Sequence, residues 1–189
     1  MRASNADVDP GWKPVLKLLP MLVIPFLGMR TMITQDSGLQ AIRLVWLVFV
    51  NALFVLWVPV VLLAATGGAP VSIPVGVAVV AAAGLGLTRL APRFVPSPDG
   101  SSPRELARSF QRATLVRIGF AQATAVVGFV MFLATGSWIV YATAFVIGAF
   151  GMWQAAPRTA ILEATQAAIA ADGSELKLIR VLNTVRLTT

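Results

Sequence analysis

The feature that most constrains this chain is the run from Leu44 to Ala65, which is apolar but for Asn51 and carries no charge. At a rise of 1.5 Å per helical residue, about 20 residues cross a hydrocarbon core about 30 Å thick. A lipid-embedded backbone must satisfy its own polar groups, so such a run is read as a helix. Three more segments are of similar length and largely apolar, with a charge only near an end: Val71 to Leu90 (Arg89), Thr114 to Ala134 (Arg117) and the uncharged Trp138 to Ala155. No Asp, Glu, Lys, Arg or His lies between Arg43 and Arg89 or between Arg117 and Arg158. The expected fold class is therefore all-α, an integral membrane four-helix bundle. It is built from two helical hairpins, with an N-terminal interfacial segment and C-terminal amphipathic helices.

The boundaries follow from punctuation. Residues 1–42 form an N-terminal region, in which Asp9-Pro10-Gly11 signals a turn. Within it, Val15 to Ile33 is apolar but is interrupted by Pro20 and Pro25 and flanked by Lys17 and Arg30. It reads as an interfacial segment with its cations reaching headgroups. The apolar run Leu18 to Met29 is followed by no small-residue cleavage site, so a signal peptide is not expected. Residues 43–90 hold the first transmembrane hairpin, where Pro59 predicts a kink. Its second helix is rich in Gly and Ala, which lets helix backbones approach closely in lipid.

Residues 91–113 form a basic connector and helix. Ser102, Pro103 and Glu105 suit the cap, first position and capping-box partner of a helix start. Arg104, Arg108 and Arg112 then recur every four residues, on one face. Residues 114–155 hold the second hairpin. Residues 156–189 follow as two amphipathic helices, Arg158 to Ala171 and Ser174 to Arg186, separated by Asp172-Gly173. Both read as lying on the membrane or on a partner. Trp46, Trp138 and Trp153 read as interfacial anchors, and Trp57, deeper, as a packing residue.

Charge sets the expected orientation. The linkers within each hairpin carry no charge, and every Lys and Arg lies before the first span, between the second and third, or after the fourth. The positive-inside rule then puts both termini and the middle segment on the cytoplasmic side, and the richness in Ala, Val and Arg suits a bacterial plasma membrane. The net charge of +7 belongs to that bias and to anionic lipid, not to nucleic acid. Anionic headgroups, or an acidic partner, are the expected contacts of Arg104, Arg108 and Arg112.

The hairpins also look alike. Phe49-Val50-Asn51-Ala52 matches Phe120-Ala121-Gln122-Ala123, and Ala-Thr-Gly recurs at Ala65 and Ala134. Ala-Pro-Arg recurs at Ala91 and Ala156. This internal repeat suggests duplication of a two-helix unit. Asn51 and Gln122, amides at matching positions, are the candidate interhelical hydrogen-bonding residues, worth about 1 kcal/mol each.

With no Cys and no His, disulfides, thiolate metal sites and the commonest general base are unavailable to the chain. No nucleophile–base pair, carboxylate pair or metal-ligand cluster can be drawn, so no catalytic, cofactor or metal residues are assigned, and no enzyme activity is expected.

The segment around Arg89-Leu90-Ala91-Pro92 and Phe120-Ala121-Gln122-Ala123-Thr124-Ala125 resembles a hairpin of the rotary ATP synthase subunit c. Gln122 stands where that family places its proton-binding carboxylate, and an amide does not titrate, so the resemblance implies a hairpin without proton carriage. The overall layout resembles small four-helix membrane proteins of actinobacteria, which implies no activity. The expectation is an accessory or structural subunit of a larger membrane complex, with other integral membrane subunits as partners. The alternative is a small transporter or channel for a neutral or lipid-like solute.

Overall fold

The computed structural model describes residues 8–16, 37–64 and 71–184. Most of the interfacial segment expected at residues 15–33, and the Thr66-Gly67-Gly68 linker, lie outside these residues. The described chain is all-α: α1 (Lys13–Leu16), α2 (Gly38–Val55), α3 (Trp57–Leu63), α4 (Ile73–Phe94), α5 (Pro103–Thr135), α6 (Trp138–Ala155), α7 (Thr159–Ala171) and α8 (Leu178–Thr184). Among the described residues, four helices are long and apolar enough to cross a membrane: α2 with α3, α4, α5 and α6. The chain is thus a multi-span helical membrane protein. It divides into two compact units, one of residues 1–48, 96–114 and 156–189, the other of residues 49–95 and 115–155.

In the second unit, Pro59 acts one turn upstream of its own position. Proline has no N–H to offer the Val55 carbonyl, and the helix breaks at Leu56, between α2 and α3. Close by, the Tyr141 hydroxyl donates to the Leu53 carbonyl at 2.9 Å. Trp57 packs edge-on against Tyr141 and Phe145, so it is a packing residue. Contrary to the expected end at Leu90, α4 continues through Pro92 to Phe94, and Phe94 stacks on Phe120.

Close approach governs the packing of α4, α5 and α6. A Cβ on Gly84 would meet Ile147 at 2.7 Å and Thr124 at 2.9 Å, and one on Gly128 would overlap Ala144. Val80, Val140 and Ala144 form the apolar contact beside them. Thr88, Thr124 and Thr135 each return their hydroxyl to a carbonyl four residues back, which satisfies a polar group without a partner helix.

The first unit has an apolar core of its own. Leu39 and Ile42 from α2, and Leu106, Ala107 and Phe110 from α5, pack with Leu162 and Ile169 of α7 and Leu178, Val181 and Leu182 of α8. The two C-terminal helices are amphipathic as expected, and their apolar residues find cover inside the chain. Their apolar faces are buried within the unit, and the inward face of α8 is carried by Leu178, Val181 and Leu182. The Ser102 hydroxyl caps α5 by accepting the Glu105 N–H at 3.2 Å, while the Glu105 carboxylate pairs with Arg108 instead of closing the capping box.

The α7–α8 link is built from hydrogen bonds. Gly173 N–H reaches the Ala170 carbonyl and Ser174 N–H reaches Ile169, with Gly173 at φ +81°. This is the left-handed C-terminal stop that glycine adopts without a Cβ penalty. The Gln166 amide then donates to the Leu176 carbonyl at 3.0 Å and accepts the Leu178 N–H at 2.7 Å.

Candidate functional site

The most fully built polar arrangement centres on Arg43, which sequence reading treats only as the edge of the first span. Its side chain is 0% exposed. Asp9 and Gly11 begin the arrangement locally, since the Gly11 N–H turns back onto the Asp9 carboxylate at 2.9 Å and Gly11 sits at φ +71°. The carboxylate takes Arg43 through both oxygens, Oδ1 on Nη1 at 2.7 Å and Oδ2 on Nη2 at 2.8 Å. Nη1 also donates to the Gly11 carbonyl at 2.8 Å. Nε and Nη2 share the Pro157 carbonyl at 3.4 Å. A guanidinium has five N–H donors, and every one of them has an acceptor here.

An aromatic layer covers the pair. The Trp12 ring lies 5.0 Å from the guanidinium carbon, a cation–π distance, and packs edge-on against Trp46 at 5.2 Å. Trp46 is thus part of a packed pair, whereas Trp138 and Trp153 are exposed. Beneath it, Val15 of α1 packs with Leu44 and Leu47. The hydrogen bond from Arg43 holds the Asp9 carboxyl below the usual carboxylate range, against an opposing upward push from burial. The clasp joins residues far apart in sequence, and only an Asp-Pro-Gly turn and a lone Arg announce it locally.

The Arg104, Arg108 and Arg112 face is less uniformly basic than the sequence suggests. Arg108 is in an ion pair with Glu105 at 2.9 Å. Arg112 lines an open polar cleft of about 470 Å³ together with Asp99, Glu105 and Asp172. In its wall, the Asp99 N–H donates to the Ser109 hydroxyl, which donates onward to the Leu106 carbonyl. Mixed charge of this kind weakens any purely anionic contact. Among the described residues no group of three or more His, Cys, Asp or Glu side chains is placed to hold a metal ion.

Asn51 and Gln122 both lie in membrane-length helices, on α2 and α5. The Gln122 Oε1 is buried and accepts no hydrogen bond, so the interhelical bond expected of it is not formed by this oxygen within one chain. Burying an amide oxygen without a donor costs about 1–3 kcal/mol. That makes Gln122 the conspicuous unsettled polar group of the second unit.

These arrangements hold, orient and pack, and none of them sets a nucleophile beside a base. No protein-family model, no curated protein and no solved structure matches the chain.

Proposed function

We infer that the chain is a non-catalytic subunit of a larger membrane assembly, docked through its transmembrane faces. One observation carries this reading: α4 has small residues on two opposite sides. Gly76, Val80 and Gly84 are buried. On the other side Ala78 and Ala82 are exposed, and a Cβ on Gly86 would meet nothing within 4 Å. Small residues four apart permit close helix contact in lipid, and one such stripe on α4 is left uncovered. Only 17% of the α4 span is buried, against 39% of the α5 span, which supports a further helix resting there.

By the positive-inside rule, both termini and the middle segment lie on the cytoplasmic side and the uncharged Gly136 turn faces outward. Arg104, exposed and outside the Glu105 pair, is the best placed of the three arginines for an anionic headgroup. Duplication of one hairpin would account for the paired Asn51 and Gln122 and the recurring Ala-Thr-Gly and Ala-Pro-Arg.

The test is purification of the tagged chain in mild detergent, followed by particle sizing and mass spectrometry. A partner set in fixed stoichiometry, lost when Ala82 and Gly86 are replaced by Leu, is the expected result. Particles containing only this chain would overturn the reading. They would favour the second one, a path for a neutral or lipid-like solute, for which the donor-free Gln122 Oε1 speaks. Reconstituted flux that falls on Gln122→Leu would then be the decisive measurement.

A further inference from the structure

The exposed side of α5 is bordered by an amide whose oxygen is buried and has no donor. Leu115, Val126, Val130 and Leu133 are 41%, 50%, 56% and 55% exposed. Leu115, Gly119, Gln122 and Val126 follow one another in steps of four, three and four residues, and Leu133 lies seven residues further on, the spacing of a left-handed helix–helix seam. Gly119 is exposed, and a Cβ there would meet nothing within 4 Å. One turn along, Gln122 stands at the border between this face and the interior, its Oε1 buried and without a donor.

We propose that α5 pairs with α5 of a second copy of this chain, with the two Gln122 amides hydrogen-bonded to each other across a two-fold axis. The occupant is argued from the amide itself. A carboxamide has both an acceptor and a donor, and in lipid neither finds water. A two-fold axis through this point brings an identical amide to the same depth, donor opposite acceptor, because a symmetric interface pairs each patch with itself. The oxygen is turned inward in the single chain, but no donor holds it there. The terminal torsion of a glutamine is broad, so the amide is free to turn toward the partner. Gly119 supplies the close approach beside it, and the apolar residues on either side complete a dry seam. The proposal rests on α5 alone and stands whether or not a foreign subunit covers α4.

The chain has no cysteine, so an introduced thiol is unique. The full chain would be reconstituted into phosphatidylethanolamine–phosphatidylglycerol vesicles at a series of densities. Oxidative cross-linking of Gly119→Cys would be compared with Gly86→Cys on the exposed side of α4. Energy transfer between copies labelled at Ser101→Cys would be followed with and without Gln122→Leu. The expected result is a covalent dimer from position 119 and none from position 86, with the dimer affinity falling about tenfold on loss of two interhelical bonds. The proposal is overturned by equal cross-linking at both positions, by energy transfer that ignores Gln122→Leu in folded protein, or by monomers at every density. In native membranes, a thiol at 119 that captures a different protein instead of a second copy overturns it as well. The Gly119→Cys test keeps the native amide, so it decides the matter even where Gln122→Leu does not fold.

Discussion

Asp9→Ala is the perturbation whose outcome the structure constrains most closely. It leaves a fully buried guanidinium with two charge-assisted hydrogen bonds and its counter-charge removed. Stranding one partner of a buried ion pair costs about 3–5 kcal/mol. The Asp9 side chain retains 17% exposure, so water reaches part of the vacated space and the lower end applies. A loss of about 3 kcal/mol, or a hundredfold in the opening equilibrium of the first unit, is expected. Hydrogen exchange of residues 9–16 and 38–48 in detergent micelles measures that opening directly. The double variant Asp9→Leu, Arg43→Leu removes both charges and should recover most of the loss, because a buried pair replaced by apolar side chains is often neutral. Protection in Asp9→Ala within about 0.5 kcal/mol of the parent, the range of an ordinary surface substitution, would refute the reasoning. So would a double variant as open as the single one, since the damage would then not come from a stranded charge.

The same pair fixes a pH dependence. The carboxyl of Asp9 is held below its ordinary value by Arg43, so the unfolded state takes up its proton first as pH falls. The stabilisation is complete above the unfolded pKa of about 3.9 and is lost as pH drops through the depressed folded value. The protection of residues 9–16, corrected for the intrinsic exchange rate at each pH, should therefore be flat near neutrality and fall in acid, and Asp9→Asn should abolish that fall. In the second unit, Gly128→Ala sets a methyl against Ala144 and should cost about 1–3 kcal/mol in thermal unfolding, relieved by Ala144→Gly. Tyr141→Phe removes the bond to the Leu53 carbonyl and should cost about 0.5–1.5 kcal/mol by the same assay. Cysteines at Gly68 and Gly136 should react with an impermeant reagent from outside intact cells and one at Ser101 should not. The opposite pattern would reverse the orientation.

Much of the architecture is legible in residue order. Four lipid-length runs, the kink at Pro59, the cap at Ser102 and the stop at Gly173 are local matters, set by backbone hydrogen bonding within a few residues. They need no knowledge of distant chain. The C-terminal helices show where that legibility ends. Periodicity marks α7 and α8 as amphipathic, but what covers an apolar face is a question of tertiary contact. Here the cover is Leu39, Ile42, Leu106 and Phe110 of the same chain. Nor does composition distinguish the two small-residue sides of α4. Gly84 is inside because Ile147 and Thr124 meet it, and Gly86 is open because nothing does.

Arg43 marks the division most sharply. By sequence it is a charge at the mouth of an apolar helix, equivalent to any headgroup-facing arginine. The tertiary fold alone brings it the Asp9 carboxylate, the Gly11 and Pro157 carbonyls and the Trp12 ring. Helices and their stops are decided by each residue's nearest neighbours along the chain. The burial of a charge is decided by whether distant groups converge to satisfy every one of its hydrogen bonds at once.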